Sequence, residues 1–198
     1  MKRTLAALLC TIGVLSACQE PPAEELAPVL TEQDERLGVD PQWLEDEVSK
    51  ISRETDTALG IVLIDDDFSA TRAGDTSMLR SWSTIKVPVA FAALEHCDVD
   101  KATREALMTS MIEVSDNAST DQLWWCLEAS GGAEKFVGEE IAKAEADVVP
   151  SPTWGVTEWP LESQAKYAHY LAQLADSEPD ENAAFVLDLM EHVDESLS

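Results

Sequence analysis

The sequence predicts an α+β domain, mostly helical, with one short antiparallel hairpin near its start. Three observations carry this. A nearly continuous apolar run at residues 58–64 (Ala-Leu-Gly-Ile-Val-Leu-Ile) has the length and composition of a strand. Asp65-Asp66-Asp67 then supplies turn chemistry before a second short strand at residues 68–72. From residue 84 onward the apolar residues recur at helical spacing in segment after segment.

Taken in order, the chain opens with Met1-Lys2-Arg3, a charged start, followed by an apolar stretch at residues 5–14. That stretch is too short to span a bilayer as a mature helix and reads as an export signal. It ends in Leu15-Ser16-Ala17-Cys18, which resembles the bacterial lipobox. The resemblance implies that residues 1–17 are removed and that Cys18 carries lipid on the outer side of the cell membrane. Residues 18–39 hold three prolines and six acids and read as a tether, spanning about 26 Å if flexible. The domain is expected over residues 40–198.

Asp40-Pro41 is an N-cap followed by proline at the first helical position. Trp43, Leu44, Val48 and Ile51 are the expected inner face of that helix. After the hairpin, Val87, Ala90, Phe91 and Leu94 mark a core-facing helix, with Pro88 tolerable only if its first turn is tight or irregular. Lys101–Glu113 is a further helix, and residues 118–127 another. Gly131-Gly132 precedes a helix on Phe136, Val137 and Ile141, residues 148–159 read as an irregular loop, and residues 161–174 and 183–193 read as two closing helices.

Composition narrows the function. A net charge of −26 excludes a phosphate-binding surface built on Lys and Arg, so no nucleic-acid partner is expected. It also excludes polybasic attachment to anionic lipid. His96, His169 and His192 lack ligand spacing, and the three consecutive aspartates lack the alternation and glycine of a calcium loop. No metal or cofactor is expected. With Cys10 in the signal and Cys18 lipidated, Cys97 and Cys126 remain, either as a disulfide outside the cytoplasm or as two buried thiols.

The chemistry gathers at residues 80–89. Ser83 and Lys86 stand three apart at an expected helix start, one turn from each other. A serine hydroxyl needs a base, and a lysine held out of water can be one. Ser163 and Lys166 repeat the spacing, but inside a helix and with no polar triplet following. Behind Ser83 comes Ser115-Asp116-Asn117 between two helices. Read blandly, these are an N-cap, a surface charge and a capping turn.

Together, Ser83-Thr84-Ile85-Lys86 and Ser115-Asp116-Asn117 resemble the first two motifs of the penicillin-recognising serine enzymes. These are the class A β-lactamases, with their secreted lipoproteins the nearest in kind, and the D-Ala-D-Ala peptidases. The resemblance covers residues 58–193 and implies a β-lactamase/transpeptidase-like fold. It makes Ser83 the acylated nucleophile, Lys86 its proton acceptor and Ser115 a proton relay. Asn117 would hold the substrate amide, Asp116 would orient the triplet, and the substrate would be a β-lactam or a D-alanyl peptide. Trp82 adjoins the nucleophile and is a candidate cleft wall.

The sequence departs from the family in three ways. The interval between the motifs is short. No Glu-x-x-x-Asn motif supplies a deacylation base, Glu145 and Glu158 being the nearest carboxylates. No Lys-Thr-Gly strand follows, with no glycine beyond Gly155 and no strand-like run after Val149. The expectation is therefore a sheet left incomplete by missing C-terminal strands, and an oxyanion hole short of one donor at about 2.7–4 kcal/mol. Three readings follow: a secreted acyl-transfer enzyme, a non-catalytic surface lipoprotein on the same scaffold, or a truncated product.

Overall fold

The computed structural model describes residues 38–194. The signal segment, Cys18 and the tether as far as residue 37 lie outside the described residues.

Helix α1 (Pro41–Thr55) starts where the capping chemistry puts it. The Asp40 carboxylate accepts the backbone N–H of Gln42 at 2.8 Å and of Trp43 at 3.4 Å. Only Leu44 and Val48 of its expected inner face are buried, whereas Trp43 and Ile51 stay 47% and 43% exposed. The reason is the width of what α1 covers. It packs on a two-stranded hairpin, and a single i, i+4 row is enough to fill that contact.

That hairpin is β1 (Gly60–Ile64) against β2 (Ala70–Gly74), antiparallel, with Gly60 opposite Gly74 and Ile64 opposite Ala70. The second strand begins two residues later than expected. Phe68 adopts a left-handed φ of 60°, and Asp65 closes the turn by accepting the Ser69 N–H on its side chain at 2.8 Å. β1 is also less buried than its composition suggests, only Ile64 being buried and the rest half-buried. Its first residue must be glycine. A Cβ on Gly60 would fall 1.9 Å from the Asp75 carbonyl oxygen, which is backbone and cannot swing aside. Gly60→Ala is expected to destabilise the protein by more than about 2 kcal/mol, read by urea unfolding.

A second pairing joins β3 (Met78–Arg80) to β4 (Glu158–Pro160), antiparallel, with Leu79 opposite Trp159. The expected irregular loop at 148–159 thus ends in a strand. Three residues are too few to show alternation in a sequence. What holds β4 is Trp159, 2% exposed, its ring 5.8 Å from that of Tyr167.

The rest of the domain is helical: α2 (Lys86–His96), α3 (Lys101–Glu113), α4 (Asn117–Ser130), α5 (Ala133–Ala142), α6 (Leu161–Asp176) and α7 (Glu181–Glu191). The described residues therefore form a helix-rich α+β domain with two small antiparallel sheets. α2 is its axis, touching α3, α4, α5 and α7. Small residues at Ala90, Ala92 and Ala93 let these neighbours approach on several sides, so burial extends well beyond the one expected face. Around it pack Met108, Met111, Leu123, Leu127, Val137 and Ile141. Pro88 falls at the third residue of α2, in the turn whose N–H groups lack helical partners in any case. The chain enters through a 3₁₀ turn at Trp82–Ile85, the tight first turn that Pro88 required.

Two further ties hold this core. Cys97, at the end of α2, and Cys126, in α4, form a disulfide with Cα atoms 5.6 Å apart. Glu140, 2% exposed, accepts the Tyr167 hydroxyl at 3.1 Å and lies 2.7 Å from the Lys143 amine, so its buried charge is paired.

Candidate active site

Ser83 sits in the 3₁₀ turn rather than at the start of α2, which begins at Lys86. The turn is anchored from behind. The Ser81 N–H donates to the Thr157 carbonyl at 2.8 Å and its hydroxyl to the Trp154 carbonyl at 3.2 Å. Trp82 takes a left-handed φ of 44°, uncommon for a bulky residue and strained. Trp82 and Ser83 are both exposed.

Lys86 lies one turn on, 2% exposed. Its amine donates to the Ser115 carbonyl at 2.5 Å, to the Ser115 hydroxyl at 3.0 Å and to Asn117 Oδ1 at 2.9 Å. The Ser115 hydroxyl in turn donates to Ser83 Oγ at 2.9 Å. The expected direct contact between Lys86 and Ser83 is thus replaced by a chain of two hydrogen bonds through Ser115. Burial pushes the Lys86 pKa below the usual lysine value, opposed by the charges of Asp116 and Asp121.

The triplet is held by local geometry. Ser115 has φ of 55°, the left-handed turn that ends α3 and aims its hydroxyl inward. Asp116 caps α4, its carboxylate accepting the Ser119 N–H at 2.6 Å. That bond, with the smaller pull of Lys86, keeps the Asp116 carboxyl below its usual range. Asn117 is the first residue of α4. The structure therefore brings Ser83, Lys86, Ser115, Asn117 and Trp82 together, with Asp116 behind them.

A cavity of about 300 Å³ opens over Ser83, walled by Trp82, Trp154, Asn117, Asp121 and Thr153. Trp154 and Asp121 were not among the sequence candidates. The Trp154 indole donates to Asp121 Oδ1 at 2.9 Å, and the Lys86 amine lies 5.5 Å from the Trp154 ring centre. On the other wall the Arg80 guanidinium stands 5.6 Å from the Trp82 ring centre. Asp121 had one sequence signal, its position one helical turn after Asn117. Trp154 had none, since it enters from a loop 37 residues beyond Asn117.

The other candidates fall elsewhere. Glu145 and Glu158 are exposed and line no part of this cavity. Lys166, of the second Ser-x-x-Lys pair, stays in α6, 3.6 Å from Glu162. A second cavity of about 280 Å³ lies near Phe91 and Tyr170, where Lys143 is engaged by Glu95 and Glu140. It holds no serine or cysteine to act as nucleophile. No protein-family model matches the chain and no curated protein matches it, so the chemistry of these side chains carries the functional reading.

Proposed function

We propose that the protein is an exported, lipid-anchored serine hydrolase of the penicillin-recognising kind, acting by acyl transfer through Ser83. On this reading the helix-rich domain is β-lactamase/transpeptidase-like, and the substrate is a β-lactam or a D-alanyl peptide. The observation that carries the reading is the hydrogen-bonded line from the buried Lys86 amine through Ser115 to the exposed Ser83 hydroxyl. The lipobox-like Leu15-Ser16-Ala17-Cys18 and the disulfide support the location, since disulfides persist outside the cytoplasm. Among the described residues no helix is long and apolar enough to cross a membrane.

The mechanism follows from the rotation of two hydroxyls. With Lys86 neutral, the line reverses: Ser83 donates to Ser115 and Ser115 to the amine. As Ser83 Oγ attacks the substrate carbonyl, its proton passes along this line to Lys86. The same line returns a proton through Ser115 to the leaving nitrogen, freeing it and completing the acyl-enzyme. Asn117 has one amide oxygen on Lys86, and its NH₂ remains to bind a substrate carbonyl. Trp82 supplies apolar wall. Trp82→Ala is expected to weaken substrate capture about fivefold, from roughly 1 kcal/mol of aromatic contact, with little change in rate at saturation. Labelling rate against probe concentration measures both.

The test is incubation with a fluorescent penicillin, denaturation and peptide mapping. Covalent label on the peptide that contains Ser83 is the expected result. A folded protein that takes no label would sink the proposal and leave the non-catalytic lipoprotein.

A further inference from the structure

Hydrolysis of an acyl-Ser83 ester needs a base for the incoming water, and none was assigned from the sequence. Five observations converge on one side chain. Among the residues lining the cavity over Ser83, Asp121 is the single carboxylate. It stands one helical turn after Asn117 on α4, on the same face. Its Oδ1 is pinned by the Trp154 indole at 2.9 Å, which fixes the carboxylate in the cleft. Its Oδ2 accepts no hydrogen bond from the described residues, so its lone pairs are free for a water. The cavity that Asp121 and Trp154 line together with Ser83, about 300 Å³, has room for that water.

We propose that Asp121 is the general base that hydrolyses the acyl-enzyme, with Trp154 as its positioning residue. The inference rests on the acyl-transfer reading of Ser83. In the step, Asp121 takes a proton from water as the water oxygen bonds to the acyl carbon. The tetrahedral intermediate then collapses and the bond to Ser83 Oγ breaks. The proton held by Asp121 passes to the departing oxygen, so the ester and water become a carboxylic acid and free serine, with both side chains restored. Lys86 reaches Ser83 only through Ser115, whereas Asp121 lines the cavity that a water can enter, which divides the labour: the amine serves acylation and the carboxylate serves release.

The test is a pulse of fluorescent penicillin followed by a chase with excess unlabelled penicillin, on the full chain. Asp121→Asn keeps an oxygen for the Trp154 indole and removes the base. It is expected to take label stoichiometrically and to release it about 100-fold more slowly than wild type. Asp121→Ala is expected to do the same, with release accelerated by added formate, which a purely structural role for Asp121 would not produce. Release from either variant at the wild-type rate overturns the assignment while leaving Ser83 as the nucleophile. A wild-type protein that takes label and never releases it overturns it too. A wild type that takes no label removes this inference together with the function it rests on.

Discussion

Lys86→Met is expected to slow acylation of Ser83 by about 10²–10⁴-fold, the range of a positioned general base. Ser83→Ala should abolish the label altogether, and the pair combined should be no worse than Ser83→Ala alone, because the two side chains act as one unit. The reason lies in burial. Burial takes the amine, 2% exposed, out of water, so it holds its proton less firmly than a solvated lysine despite the opposing charges of Asp116 and Asp121. Methionine fills the volume and supplies no proton acceptor. The pH dependence has a definite sign. In the proposed mechanism acylation requires the neutral amine, so labelling should rise with pH through a value below the usual lysine range, and Lys86→Met should lose that rise.

The same group links pH to stability in the same direction. Its pKa is lowered in the folded state, so between the folded and unfolded values the unfolded chain binds more protons. The Lys86 contribution to stability therefore increases with pH across that window, and the full penalty applies below it. Lys101 and Lys143 have raised values and contribute with the opposite sign, so total stability is a poor readout. The useful quantity is wild type minus Lys86→Met, which should grow as pH rises. Urea unfolding at a neutral and an alkaline pH measures it.

Removing the disulfide is expected to have the largest effect on stability. Cys97 and Cys126 are 29 residues apart in sequence, and closing a loop of that length is worth about 3.6 kcal/mol on the chain-entropy estimate. In a domain of this size that is roughly 7–14 °C in melting temperature. Cys97→Ala combined with Cys126→Ala, or reduction, should show it in a thermal scan. The bridge also ties α2 to α4, and these two helices carry Lys86 on one side and Asn117 and Asp121 on the other. The variant should therefore lose labelling rate at temperatures where it is still largely folded. Two titratable thiols in denatured, unreduced protein would remove the basis for this expectation.

The helices were legible because they are local. Asp40 and Pro41 announce α1 by capping chemistry alone, and α3 runs from Lys101 to Glu113 as its spacing implied. Pro88 foretold an irregular entry to α2, and a 3₁₀ turn is there. Local pattern misleads where distant segments decide. Residues 158–160 form a strand because β3 lies beside them and Trp159 drops into the helical core. Trp43 and Ile51 stay exposed because the hairpin beneath α1 is only two strands wide. β2 starts late because Phe68 turns left-handed around the Asp65 side chain.

The site divides the same way. Residue type and spacing along the chain were enough to single out Ser83, Lys86 and Ser115-Asp116-Asn117, since a tight helical entry and a capping turn leave local marks. The order of the hydrogen-bonded line, with Ser115 between Lys86 and Ser83, depended on where α2 and the end of α3 come to rest against each other. So did the meeting of Trp154 with Asp121, whose indole and carboxylate lie 33 residues apart in the chain and 2.9 Å apart in space. Local propensity follows from neighbouring residues alone, but a hydrogen bond between remote side chains exists only after the core has packed and set the backbones that carry them.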